Sequence, residues 1–382
     1  MKIDPYKHKE RYIRWKEKTN QGIPELTKEN STIIRQYLND MEQGLNIAIS
    51  SRKGARSYIR LNNLKQRTIF LGKEFEKRLS KNLIELKEQD LFGLFVGMRN
   101  GAIKRLDGKT YKSVCDYVYV FKAFWHWYMK VNKKQGIEIQ DITTDLDVSK
   151  DKPRWVYLDE EQVRKLCDKA KYEYEVLIMF LFDSGIRAPT ELINIKVNDL
   201  HNDYKELNIK DEISKTFGRK IKLMLCYGLL KNYIKEKQLE PGDYLFPIKP
   251  YVSNRYLKRL ATSIFGNKES LAGEKYSNLT MYDFRHCSCC YWLPRYKSES
   301  ALKYRFGWKN SEKIHYYSEL LGMKDTISEE DLLLDITKTE IEKRLTQSEN
   351  EKERLKERVH TLEAQMQKIL NHVGQMCVKV KA

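Results

Sequence analysis

Arg187, Lys215, Arg285 and the adjacent Tyr316 and Tyr317 follow one another, in that order, through the second half of this 382-residue chain. These are residue types that can cut a phosphodiester. Such a group is anionic, and its transition state gathers further charge on the non-bridging oxygens. Planar guanidiniums that stay protonated and donate in pairs are suited to hold it. Arg187, in SGIRAPTEL, and Arg285, in YDFRHCSCCYWL, are the candidates. A phenol that attacks phosphorus keeps the bond energy in a phosphotyrosyl link, so the strand can be rejoined without a cofactor. The departing 5′ oxygen needs a proton, which a lysine on a hairpin entering the minor groove can give as general acid. Lys215, in SKTFGRKIKL, is that candidate. No metal or nucleotide is then required. Tyr316 and Tyr317 are rival nucleophiles, because neighbours on a helix point about 100° apart and only one can face the phosphate.

Positioning these groups takes an ordered set of elements. EYEVLIMFLFDSGIRAPTELINIKVNDL reads as an apolar helix ending at SGIR, followed by a second helix that Pro189 can open and that carries Glu191. ELNIKDEISKTFGRKIKLML reads as two strands flanking a lysine-bearing turn, MYDFRHCSCCYWL as a helix, and FGWKNSEKIHYYSEL as a closing segment with Trp308 and Tyr317 nine residues apart. With these four segments in order, the chain resembles the tyrosine recombinases of the phage-integrase family over roughly residues 30 to 320. The resemblance implies Arg187, Lys215, Tyr282, Arg285, Trp308 and Tyr317 as catalytic residues. It adds Glu191 and His286 in support, no cofactor, and a tetramer assembled on double-stranded DNA. In this role the Trp308 indole N–H donates to a phosphate oxygen. Two positions depart from the usual pattern. Tyr282 replaces the common His, as in some archaeal virus and plasmid integrases, and Arg187 and Glu191 are four apart rather than three.

His286, Cys287, Cys289 and Cys290 could suggest zinc, but they continue an apolar helix and no second cysteine pair at ligand spacing occurs. Buried thiols are the simpler reading. Seven cysteines, odd in number and scattered, fit a reducing compartment. MKIDPYKHKERY has no apolar signal region, and no stretch reaches membrane-spanning length, so a cytoplasmic protein without membrane contact is expected.

A formal net charge of +18 points to a polyanionic partner. Residues 1–150 hold 30 basic and 18 acidic residues, a net +12. Between Glu42 and Glu74 there is no acid, while Arg52, Lys53, Arg56, Arg60, Lys65, Arg67 and Lys73 accumulate. All but the last are the candidate phosphate contacts.

The expected fold class is mainly α with a small β-sheet. After an N-terminal extension (1–28), helical periodicity over 29–136 resembles the family's four-helix core-binding domain. Residues 137–154 are a polar linker, and 155–325 a catalytic domain whose first helix opens with a capping box, Asp159 and Gln162. Residues 336–375 are a coiled-coil helix, with Leu345, Lys352, Val359, Met366 and Val373 at a positions and Ile341, Ser348, Leu355, Leu362 and Ile369 at d. Eight of these ten positions are apolar, which favours self-association. The expected activity is site-specific recombination or integration of DNA, as in mobile elements and viral genome integration. A type IB-like topoisomerase shares the nucleophile chemistry, and a non-catalytic architectural DNA-binding protein would share the basic surface.

Overall fold

Among the described residues, the first third forms five helices around one aromatic-rich core. The computed structural model describes residues 2–48, 51–150, 152–296 and 298–322, together with the single positions Leu345, Ser348, Lys352, Leu355, Val359 and Met366. They belong to two compact units, Met1–Lys313 and Ile314–Ala382. In the first unit, α1 (His8–Lys18), α2 (Lys28–Gln43), α3 (Tyr58–Leu79), α4 (Glu88–Arg99) and α5 (Val114–Lys134) come first. Their shared core includes Tyr12, Tyr37, Phe75, Phe121, Phe124 and Trp127. α1 was not foreseen. It is very polar, but its Tyr12 is only 1% exposed and belongs to that core. α2 stops at Gln43, because Gly44 caps it in the left-handed region at φ 79°. α3 starts at Tyr58, within the acid-free stretch, with the Ser57 hydroxyl capping the Arg60 N–H. Much of the acid-free basic run is therefore helical.

The rest of this unit contains α6 (Glu160–Lys169), α7 (Tyr172–Ser184), β1 (Leu200–His201), β2 (Glu206–Ile209), β3 (Arg219–Lys222), α8 (Tyr227–Glu236), α9 (Pro250–Phe265), α10 (Asp283–Trp292) and α11 (Glu299–Phe306). The three strands form one antiparallel sheet in sequence order, with Ile209 opposite Arg219 at the hairpin end. The chain is thus mainly α with a small sheet, as its sequence implies. The capping box at α6 is present: Asp159 Oδ1 accepts from the Gln162 N–H at 2.7 Å and Gln162 Oε1 from the Asp159 N–H at 3.2 Å. α7, buried along Val176, Leu177, Ile178, Phe180 and Leu181, packs on α6, α8 and α10. It is the apolar spine behind the site.

The second helix expected at Glu191 does not form. Ala188–Pro189 is cis, and two single 3₁₀ turns follow, Leu192–Asn194 and Val197–Asp199. Ile193, Ile195 and Val197 are β-branched, and Asn194 donates its side-chain amide to Thr190 O at 3.0 Å, a local bond that competes with helix. Asn194 also pairs with the N-terminal segment: Ile3 N–H donates to its Oδ1 at 2.6 Å, and its Nδ2 donates to Ile3 O at 3.0 Å.

The helix α12 (Glu312–Leu321) carries the chain into the second unit. The six described tail positions are helical and exposed, with Leu345, Leu355, Val359 and Met366 between 53% and 62% accessible. The remaining heptad positions, Ile341, Leu362, Ile369 and Val373, lie outside the described residues. Among the described residues no helix is long and apolar enough to cross a membrane.

Candidate active site

The two candidate clamp arginines meet the same short stretch of backbone. Arg285, one turn into α10, is 4% exposed; its guanidinium donates to Gly185 O at 2.6 Å and to Phe306 O. Arg187 donates to Gly307 O at 2.8 Å and to Glu191 Oε1 at 2.7 Å. Burial, and then the charge of Arg187, lower the Arg285 pKa to about 10. An anion between the two guanidiniums would relieve that repulsion.

α10 is aimed by Asp283. Its carboxylate accepts from the Thr280 N–H at 2.8 Å, the Thr280 hydroxyl at 2.6 Å and the Val156 N–H at 3.1 Å. Cys287, Cys289 and Cys290 are buried in this helix, with burial raising the Cys287 and Cys290 pKa values, as expected for core thiols. Glycines permit the close approaches. Gly185 ends α7 at φ +59°, and Gly307 follows α11 at φ +58°. A Cβ at Gly307 would stand 3.0 Å from Arg219 Nη1 and 3.2 Å from Thr216 Oγ1. Both positions need the left-handed region and a small residue.

Glu191 is the electrostatic centre. Its carboxylate accepts from Arg187, from the Arg187 backbone N–H at 2.9 Å, and from both terminal nitrogens of Arg219 at 3.2 and 2.9 Å. Burial works to raise its pKa, but the bonds and charge of Arg219, followed by those of Arg187, bring it down to about 2. The four-residue spacing of Arg187 and Glu191 therefore closes an ion pair within one turn.

Lys215 is exposed in the turn between β2 and β3, and its neighbours dock that turn. The Thr216 hydroxyl donates to Gly307 O at 2.8 Å. Trp308 is 7% exposed and stacks on Phe306 with ring centroids 5.0 Å apart; the Arg285 guanidinium is 5.9 Å from its ring. Tyr282 is 41% exposed, and its ring meets His286 edge-on at 5.3 Å. His286 in turn stacks on Trp155 at 4.7 Å. Among the sequence candidates, Arg187, Glu191, Arg285, Trp308 and the Lys215 turn thus share one locus. Tyr316 and Tyr317 are on α12, with ring centroids 5.3 Å apart; Tyr317 is buried and Tyr316 half-buried.

Four residues of this locus escaped the sequence reading: Asp183, Thr216, Arg219 and Arg305. Arg305, 2% exposed, donates to the Asp183 carbonyl, to Asp183 Oδ1 at 3.1 Å and to Lys222 O at 2.9 Å. Asp183 Oδ2 accepts from the Leu225 and Cys226 N–H groups at 2.6 and 3.1 Å. A lone acid in the apolar run FLFDSG was the available signal, since such a group needs a buried partner.

The basic candidates of the first third divide. Arg52, Lys53 and Arg60 are exposed, and Arg56 is half-buried. Arg60 and Arg67 line an open cavity of about 520 Å³ with Asn63, Tyr119, Lys122 and His126, and Arg67 pairs with Asp116 at 2.7 Å. Lys65 does not join this surface. It is 7% exposed, donates to Asn62 Oδ1 at 2.9 Å and lies 5.1 Å from the Trp15 ring. It occupies the apolar stripe Leu61, Leu64, Thr68, Leu71, and the helical period alone marks it as an inward position.

No protein-family model matches the chain, and no curated protein matches it. Solved structures do. The Tn1549 transposon integrase in complex with transposon right end DNA superposes with TM-score 0.55 at 14% identity, covering 82% of this chain and 99% of its own. The XerH site-specific recombinase bound to a palindromic difH substrate gives 0.53 at 16%, covering 81% and 90%. A lambda integrase dimer bound to a core site gives 0.51 at 14%, covering 78% and 79%. The chain has their fold. At such identities the likeness concerns architecture, and the chemistry rests on the residues of the site.

Proposed function

We propose that the protein is a site-specific DNA recombinase or integrase that cuts and rejoins strands through a 3′-phosphotyrosyl intermediate. The observation that carries this reading is the convergence of Arg187, Arg285 and the Lys215 turn on the carbonyls of Phe306 and Gly307. In the cleavage step the Tyr317 phenolic oxygen bonds to phosphorus and the phosphorus–O5′ bond breaks. The O5′ atom takes a proton from the Lys215 ammonium, and the phenol proton passes to water. Arg187 and Arg285 hold the non-bridging oxygens, Trp308 and Tyr282 border them, and Glu191 and His286 support the arginines and Tyr282. Arg52, Lys53, Arg56, Arg60 and Arg67 grip the DNA backbone without reading sequence. The exposed apolar stripe of the tail pairs protomers as a coiled coil, which suits an enzyme that works as a tetramer.

A panel of nicked duplexes tiled across the DNA flanking the coding gene tests this. On these the short piece of the cut strand that leaves with a free 5′ hydroxyl diffuses away, which traps the covalent product. A recombinase accumulates protein joined to a 3′ phosphate and transfers the strand to a partner duplex. A topoisomerase relaxes supercoils without partner exchange, and an architectural protein forms no adduct; either result would replace the reading.

A further inference from the structure

Arg219 has no part in the chemistry above, yet it bonds both to Glu191, which holds Arg187, and to the end of α11 beside Gly307. It is 2% exposed at the start of β3, opposite Ile209 and four residues past Lys215. Its Nε donates to Arg305 O at 2.8 Å, two residues before Gly307. Its two terminal nitrogens span both oxygens of Glu191, the same carboxylate that holds Arg187 by side chain and by backbone. A guanidinium fork is the side chain able to make all three bonds at fixed angles, and an ammonium is not.

Resting on the reading of this locus as a phosphodiester-cleaving site, we propose that Arg219 is a positioning residue that locks the Lys215 hairpin and the Arg187 clamp together through Glu191. The general acid and the anion clamp are then set by one buried bond network. Thr216 and Ser214 add lesser ties, the Thr216 hydroxyl to Gly307 O at 2.8 Å and the Ser214 hydroxyl to Glu191 Oε1 at 3.4 Å. With Arg219 gone, Glu191 keeps Arg187 as its one arginine partner, and β3 loses one of its bonds to the α11 end while keeping those from Arg305 to Lys222 O and from the Lys220 N–H to the Tyr304 hydroxyl. Both the lysine and Arg187 should drift from the phosphate while the DNA-facing surface stays as it was.

The experiment uses full-length protein and the flanking-DNA nicked duplexes, measuring affinity, covalent adduct formation and melting temperature. Arg219→Met should bind DNA within about twofold of wild type and form adduct at least a hundredfold more slowly, as for a lost preorganised donor, roughly 10² to 10³. A duplex with sulfur in place of the scissile O5′ separates the two parts, since a thiolate leaves without a proton. Lys215→Ala should recover on it, whereas Arg219→Met should recover only in part because Arg187 remains displaced. Either full recovery or none in Arg219→Met overturns the coupling. If Arg219→Met fails to fold, Arg219→Lys decides: it retains a buried cation but cannot span the carboxylate, and should cleave at least tenfold more slowly. A folded Arg219→Lys with wild-type cleavage overturns the inference alone. Absence of any adduct from the wild-type protein overturns the proposed function as well.

Discussion

Replacing Gly185 by alanine probes how tightly the clamp is built. The residue sits at φ +59°, where a Cβ costs about 1 to 2 kcal/mol for any L side chain. That Cβ would also intrude on the edge of the Phe306 ring and stand 2.7 Å from Ser288 Oγ. Neither can retreat easily: Phe306 is fully buried and stacked on Trp308, and Ser288 is within α10. Overpacking of this kind costs about 1 to 3 kcal/mol, so the total is about 2 to 5 kcal/mol. The displacement matters more than the sum. Gly185 O and Phe306 O are the two acceptors of Arg285, so moving one against the other misaligns the guanidinium. Gly185→Ala should melt well below wild type and, at a temperature where it is still folded, form phosphotyrosyl adduct ~10²-fold or more slowly. The assay pairs a thermal melt with adduct formation on the nicked duplexes. Wild-type melting and cleavage together would refute the claim that this glycine sets the clamp.

Three further outcomes are expected. Tyr317→Phe should abolish covalent attachment while leaving DNA affinity intact; attachment retained in that variant and lost in Tyr316→Phe would shift the nucleophile by one residue. Glu191, held to about 2 against an ordinary value near 4.5, contributes roughly 3 kcal/mol that is fully present above pH 4.5 and is lost as the pH falls toward 2. Acid titration of stability should show this limb, and Glu191→Gln should lack it; identical acid limbs would remove Glu191 from that role. Deleting everything after Asp335 should leave a folded, DNA-binding protein whose oligomer is weakened and whose strand exchange falls more than its cleavage. Sedimentation showing equal monomer masses for both forms at micromolar concentration would reject tail-mediated association.

What could be read in the chain beforehand follows from how each role is encoded. Arg187, Arg285 and the Lys215 turn, which the structure brings to one locus, stand out in the sequence because the chemistry proposed for them restricts the residue type and local motifs fix their surroundings. Helical periodicity revealed α2 to α5, although their ends were set by Gly44 and Ser57, whose capping depends on geometry beyond the pattern. α1 was hidden by its polarity, since a single deep aromatic, Tyr12, anchors it. Arg219, Arg305 and Asp183 were missed for another reason. Charged residues are ordinarily read as solvent-facing, and the charged partners of these arginines are 28 and 122 positions away in sequence. Much of what they hold is backbone carbonyl, which leaves no mark on residue identity.

Arg187, Arg219, Arg285 and Arg305 are all nearly or fully buried, and among them stand two buried carboxylates, Glu191 and Asp183. The DNA-free site is therefore short of negative charge in a place that water screens poorly. Small oxyanions in the buffer should partition into it by mass action. Sulfate or inorganic phosphate should raise the melting temperature more than chloride at equal ionic strength, with a saturating dependence, while competing with the scissile phosphate in cleavage assays. The choice of purification buffer then becomes a kinetic variable, separate from the screening of the basic helical surface that any salt produces.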